Sequence, residues 1–402
     1  MTTYSFSLLT GETGPLVKGS APQRLRVPAH AHTPLFTEGD QVLAGTKIAT
    51  AKLPGEGDLH APLAGSIVEI SDDAILIDVS GDERTDKEIP PSNGGESLKE
   101  WLRSQGINVG HLVQSPTLII NAVPPEPGIS IYDPLLRDYR KTIELGLETI
   151  QRVVMPAKMH LVVAKGNRAN AFSNCTVLHV PPTYPNGLDQ LVMKTVTGQE
   201  VLLGAKPDGV VQLSVRDLYF IGRVMETGRP ITETIMTIGG QNHLIKIGTP
   251  IGHLTQEAGT TVQPGDRVVL GGLMRGMAAL NLQQGVDKLT TGLHLLRSGE
   301  GLKPTTNFCL GCGECERHCP ARIQPGMISR CAEFKHFDRA ENFHIHSCIE
   351  CGICGYWCKA ERPLLQYIRL AKYELALLRS ATSALQDEPQ EQESGQQIGD
   401  NA

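Results

Sequence analysis

The spacing of hydrophobic and polar positions changes several times along this chain and divides it into stretches. Between residues 95 and 235 apolar residues switch repeatedly between helical and strand spacing. Residues 97–104 suit a short amphipathic helix, and Thr117-Leu118-Ile119-Ile120-Asn121 is an almost unbroken apolar run that suits a buried strand. Leu136, Ile143, Leu147 and Ile150 recur at helical intervals within 135–153, and 160–164 forms a second buried strand. Such alternation predicts a mainly parallel sheet with covering helices. The N-terminal quarter and residues 236–290 have a different texture, with short strand runs such as Glu233–Ile238 and Arg267–Leu270 between Gly-rich turns. A last helix is predicted from Pro363, in the first helical position, to about Arg379. Beyond it, 381–402 carry five acids, no Lys or Arg and much Gln, which predicts a disordered tail.

Composition adds limits to this picture. A chain of 402 residues is long enough for several domains, and 40% hydrophobic residues supply their cores. The net charge of -6 comes almost entirely from the acidic tail, and no basic stripe marks a nucleic-acid surface. There is no run of about 18 apolar residues, and Met1-Thr2-Thr3-Tyr4-Ser5 does not open a signal peptide, so a cytoplasmic chain is expected.

The cysteines bring in chemistry. Nine of ten fall between 309 and 358. Cys309, Cys312, Cys315 and Cys319 are spaced C-x2-C-x2-C-x3-C before Pro320, and Cys348, Cys351, Cys354 and Cys358 repeat the spacing before Lys359. This is the known bacterial ferredoxin run, in which three thiolates wrap one corner of a [4Fe-4S] cubane and the fourth ligates the neighbouring cluster. On that pattern Cys309, Cys312, Cys315 and Cys358 hold one cluster, and Cys319, Cys348, Cys351 and Cys354 hold the other. A pair of structural zinc sites is the alternative, but zinc gives no reason for a third C-x2-C step made twice. Cys175 and Cys331 fit neither run and are expected to be small buried hydrophobes. His318, His344 and His346 are expected near the ligands without ligating. Residues 301–380 hold eleven Lys or Arg against eight Asp or Glu, an excess that offsets anionic clusters or steers an acidic redox partner.

In the N-terminal quarter, residues 38–49 and 60–70 look like the two halves of a barrel-sandwich module of the biotinyl and lipoyl type. The link Lys52-Leu53-Pro54-Gly55-Glu56-Gly57-Asp58 lacks the flanks of a cofactor-bearing lysine, so the module is read as structural.

The order of these stretches resembles the RnfC family of the Rnf ion-translocating electron-transport complex, itself similar to the flavin-bearing subunit of complex I. The likeness runs from about 15 to 375. It is carried by Ala61-Pro62-Leu63-Ala64-Gly65, Leu118-Ile119-Ile120-Asn121, Pro182-Thr183-Tyr184-Pro185-Asn186-Gly187 and Ile247-Gly248-Thr249-Pro250-Ile251. Arg267-Val268-Val269-Leu270-Gly271-Gly272-Leu273-Met274 adds to it, as do both cysteine runs with Leu365-Gln366-Tyr367-Ile368-Arg369-Leu370-Ala371-Lys372. The resemblance implies a multidomain α/β plus β protein. After an N-terminal segment (1–20) come a barrel-sandwich hybrid (21–82), an α/β domain like the FMN- and NADH-binding one (95–235) and a β-grasp SLBB domain (236–295). A helical ferredoxin-type domain with two [4Fe-4S] clusters (300–379) and the acidic tail (380–402) complete the order.

The family cradles FMN and NADH phosphates on a glycine-rich loop just before the Leu-Ile-Ile-Asn strand. Here the stretch is Gly106-Ile107-Asn108-Val109-Gly110-His111-Leu112-Val113-Gln114-Ser115, with two glycines, and it is too short for a cradle. FMN and direct NADH binding are therefore not expected. The implied protein is an iron–sulfur relay subunit at the cytoplasmic face of the membrane, held there by other Rnf-type subunits, with ferredoxin as soluble partner and no catalytic residue of its own. Two readings stand beside it: a flavin-dependent NADH dehydrogenase with a remodelled nucleotide site, and a scaffold whose clusters serve only as staples.

Overall fold

A computed structural model describes residues 6–8, 13–167, 172–205, 207–300, 305 and 307–386, with side chains to residue 380. The chain forms two compact units, Met1–Lys303 and Pro304–Ala402. It is a mixed α/β protein with several separate sheets.

The larger unit begins with β1 (Val17–Lys18), which does not join the strands that follow it in sequence. Those are β2 (Arg24–Pro28), β3 (His32–Pro34), β4 (Gln41–Val42), β5 (Lys47–Ala51), β6 (Leu59–His60), β7 (Ala64–Ile70) and β8 (Ala74–Gly81). They make two small antiparallel sheets, ordered β2-β8-β7-β4 and β3-β5-β6, over a shared apolar core. Alternation decides which way each strand faces: Leu25 and Val27 of β2 are fully buried, while Arg24 points out to Asp78.

The expected parallel sheet follows. Its strands β9 (Thr117–Asn121), β10 (Lys158–Ala164), β11 (Cys175–Val180) and β12 (Val210–Ser214) lie in the order β11-β10-β9-β12, and all three pairings are parallel. Helices α1 (Glu96–Ser104), α2 (Tyr132–Asp138), α3 (Arg140–Val154), α4 (Asp189–Thr197) and α5 (Val215–Thr227) accompany it. The single helix expected over 135–153 is two. The chain leaves helical geometry at Tyr139, whose ring packs edge-on against Tyr219 of α5 at 5.2 Å.

A six-stranded sheet completes the unit, ordered β1-β14-β13-β17-β15-β16. It uses β13 (Glu233–Ile238), β14 (Gln241–Lys246), β15 (Arg267–Leu270), β16 (Met277–Ala278) and β17 (Gly292–Leu296), with α6 (Ile251–Glu257). The N-terminal β1 extends this distant sheet by pairing parallel to β14.

The second unit is helical: α7 (Glu314–Arg317), α8 (Pro325–Glu333), α9 (Ile353–Tyr356) and α10 (Leu364–Gln386) around one core. Helix α10 continues past the predicted stop near Arg379, because Ala381, Ala384 and Leu385 are good helix formers. The rest of the expected acidic tail, 387–402, lies outside the described residues. Among the described residues no helix is long and apolar enough to cross a membrane.

Helices α3 and α5 cross in backbone contact. A Cβ at Gly146 would fall on the Leu218 carbonyl, and one at Gly222 on the Thr142 carbonyl. Replacing Gly222 by Ala is therefore expected to destabilise the larger unit by roughly 1–3 kcal/mol through forced separation of the helices, read from the urea midpoint.

Candidate metal centres

The two cysteine runs fold as copies of one another, 39 residues apart. Equivalent positions share unusual backbone angles: Gly311 and Glu350 have φ of 66° and 54°, Gly313 and Gly352 of 73° and 76°, Arg322 and Glu361 of 55° and 52°. Left-handed geometry falls on the residue before the second cysteine of each run, and Gly313 and Gly352, just after that cysteine, then start the short helices α7 and α9. Glu350 adopts this conformation with a full side chain, which is unusual away from glycine.

These turns surround two hollows of similar free space, about 330 Å³ and 320 Å³ including the mouth. Cys309, Cys312, Cys315 and Cys358 line the first, and Cys319, Cys348, Cys351 and Cys354 line the second. The fourth cysteine of each run thus faces the hollow of the other. The correspondence goes beyond sulfur: every residue lining the first hollow has its equivalent lining the second. At the crossing, His318 and Trp357, each just before a fourth cysteine, stack with centroids 4.2 Å apart and planes 8° apart. The residues fit a pair of cubanes, since each hollow offers four soft sulfur donors spread around a space. Among the described residues, no three Cys, His, Asp or Glu side chains converge on a point that could hold a single metal ion.

The two sites differ in burial. Cys309 and Cys312 are exposed, whereas Cys348, Cys351 and Cys354 are buried. Burial pushes the Cys351 thiol up to about 12 and the Cys354 thiol well above its ordinary value. Bare thiolates are costly there, and cationic iron would offset that cost. Backbone N–H groups already point at sulfur, with Glu350 donating to Cys348 Sγ and Arg362 to Cys358 Sγ, each at 3.4 Å.

Two charged residues near the cysteines escape a reading of spacing alone. Glu350 stands where the first run has Gly311. It is half-buried, with Arg369 at 2.9 Å and Lys372 at 3.0 Å, and Lys372 also donates to the Cys348 carbonyl at 2.7 Å. Burial works against its ionised form, but these two cations outweigh burial and hold the carboxyl below its ordinary range. Arg362 lines the first hollow and is almost completely buried. The signal was available in both cases, as a charged residue at a motif position where the other copy is uncharged.

The remaining expected residues are spread out. His346 pairs with Glu341 at 3.2 Å and Arg379 at 3.0 Å, and neither it nor His344 lines a hollow. Cys331 packs beside the core of the second unit, and Cys175 opens β11 with its thiol pushed up to about 11 by burial.

In the larger unit the Gly106-to-Ser115 stretch makes a packed seam. Val109 and Gly110 both donate their N–H groups to the Gly55 carbonyl, at 2.7 and 3.0 Å, and Ser115 donates to Val154 at 2.9 Å. Lys288 reaches in to Asn108 Oδ1 at 2.7 Å, and Asn108 Oδ1 also accepts from Gly57 N–H at 3.0 Å. Beside them His60 is driven down to about 4, by burial first and then by Lys47.

No family model matches the chain. It is 27% identical to the C subunit of the ion-translocating oxidoreductase complex of Klebsiella pneumoniae (strain 342), over 91% of this chain and 55% of the relative. It is 25% identical to the C subunit of the proton-translocating ferredoxin:NAD(+) oxidoreductase complex of Clostridium ljungdahlii, over 90% of each chain. The chain is a relative of these RnfC proteins. The expected resemblance is borne out, and the chain spans little more than half the length of the Klebsiella protein. Among solved structures, an NAD+-reducing [NiFe]-hydrogenase in the H2-reduced state matches at 10% identity over 71% of this chain and 62% of its own, with a TM-score of 0.43.

His60 gives the seam between Gly55 and Gly106 an acid sensitivity. The unfolded chain takes up its proton below about pH 6.5, while the folded chain resists doing so until about 4. Its contribution is complete above 6.5 and fades as pH falls toward 4. His60→Gln is expected to lessen the loss of stability between pH 7 and pH 4 by up to roughly 3 kcal/mol, measured as the difference between variant and parent in urea unfolding.

Proposed function

We propose that this chain is the iron–sulfur electron-transfer subunit of an Rnf-type ion-translocating complex. On this reading Cys309, Cys312, Cys315 and Cys358 hold one [4Fe-4S] cluster and Cys319, Cys348, Cys351 and Cys354 the other. The observation that carries it is the pair of hollows, each lined by three cysteines of one run and the fourth of the other. When bound, such clusters supply one-electron steps without making or breaking carbon bonds. The chain's own residues set burial, aim N–H groups at sulfur and distribute charge around each site.

The Clostridium relative's name joins ferredoxin and NAD(+) in one reaction of a whole complex. For this chain we favour ferredoxin as the soluble partner and take FMN and NADH to bind elsewhere. The support is that Val109 and Gly110 spend on Gly55 the N–H groups a phosphate would need. The finer domain reading belongs here as well: a barrel-sandwich hybrid at 21–82, a flavin-subunit-like α/β domain at 95–235, a β-grasp at 236–295 and a ferredoxin-type domain at 300–379. The two facing antiparallel sheets, the parallel sheet, the six-stranded mixed sheet and the duplicated cysteine turns support each in turn. Attachment to the cytoplasmic face of the membrane would come through other subunits.

The pairing predicts phenotypes that cross between the runs. Cys319→Ser is expected to remove the same cluster signal as Cys351→Ser and to spare the one lost in Cys312→Ser, by EPR of the dithionite-reduced protein. The partner reading is tested by anaerobic EPR with FMN supplied, adding NADH and, separately, reduced ferredoxin. Signals with ferredoxin and none with NADH are expected. Signals with NADH would move the lead to a flavin-dependent dehydrogenase with a remodelled site.

A further inference from the structure

The duplicated hollows allow each lining position to be compared with its own copy. Where Arg362 lines the first hollow, the equivalent residue lining the second is Ile323, 39 positions earlier. Both are buried, at 2% and 3% exposure. Among the described residues that line either hollow, Arg362 is the sole charged side chain. A guanidinium this deep must be held by partners, and most of it is. Nη2 donates to Glu333 Oε2 at 2.7 Å, Nη1 donates to the Asn307 carbonyl at 2.7 Å, and the plane lies 5.3 Å from the centre of the Tyr367 ring. Nε is different, since it is buried and has no partner among the protein's described atoms. The contacts to Glu333 and Asn307 explain why the head group is fixed, but they leave the Nε–H unexplained.

We propose that Arg362 is a potential-setting residue for the cluster held by Cys309, Cys312, Cys315 and Cys358, with its buried charge and Nε–H facing that cluster's anionic sulfur. The inference rests on the two-cluster reading above. Reduction adds one negative charge to an already anionic cluster, so a fixed cation beside it favours the reduced form, and a hydrogen bond to sulfur acts the same way. The exposure of Cys309 and Cys312 acts in the same direction by letting water solvate the added charge. Around the second hollow Glu350, Arg369 and Lys372 together leave one positive charge, but none of the three lines the hollow.

The test is an EPR-monitored redox titration of the cluster-loaded full chain, with each signal assigned by its loss in Cys312→Ser or Cys351→Ser. Arg362→Met is expected to shift the first cluster's reduction equilibrium at least tenfold toward the oxidised form, a fall of about 59 mV for one electron, and to leave the second cluster in place. Arg362→Lys, which keeps the charge and loses the Nε–H, should fall by less. Glu333→Gln, which removes the ion pair and keeps the cation, should not lower the midpoint, whereas a purely structural role predicts that it would. Both clusters present with the first midpoint unmoved in Arg362→Met overturns the inference. If that variant does not load, both clusters present with the first midpoint unmoved in Arg362→Gln overturns it. A parent chain that loads no clusters defeats the underlying reading instead, and iron analysis separates the two failures.

Discussion

Burying thiolates without their countercharge is the constraint on which the second unit depends. Cys348 and Cys354 sit in an apolar core with Ile323, Leu364 and Ile368, and Cys351 is buried beside Ile323 and Ile368 at the hollow, where an ionised sulfur is disfavoured. A fold that places four sulfurs around each of two hollows would resolve this if cationic iron bound there, and metal binding and folding would then be linked. The exchange of the fourth cysteine between runs adds connectivity. Cys319 and Cys358 each tie one turn to the other's site, and the His318–Trp357 stack packs the crossing.

The larger unit works under another constraint, the satisfaction of backbone groups where its parts meet. The loop before β9 carries backbone N–H groups that need partners. Here those groups go to the 55–57 turn, and Lys288 and Asn108 close the same seam from the side. Asp58 is buried within it between Lys47 and Arg103, both at 2.9 Å. Buried charges paired in this way are costly to disturb one at a time, and such a seam rigidifies the unit.

Much of this was legible from residue types and spacing. The crossed sets of cysteines expected from the ferredoxin pattern line one hollow each, and the apolar run at 117–121 marked a central strand of the parallel sheet. What was missed has physical causes. Local spacing across 135–153 is helical throughout, but the packing of Tyr139 on Tyr219 belongs to tertiary structure and breaks the helix there. The two residues of β1 carry too little pattern to reveal that they pair with β14, more than 220 residues away. Arg362 reads as an ordinary surface arginine until its burial and its kinship with Ile323 are seen together. The acidic run after residue 380 hid helix-forming residues that extend α10 to Gln386.

The central question is what the two sets of four cysteines hold. Iron, acid-labile sulfide and zinc counted per chain in anaerobically purified protein, with a Mössbauer spectrum of the same sample, address this directly. Ligation of two cubanes predicts about eight irons and eight sulfides per chain, all in [4Fe-4S] spectral form, with zinc near zero. About two zinc ions per chain and no sulfide would contradict the iron–sulfur reading at its centre.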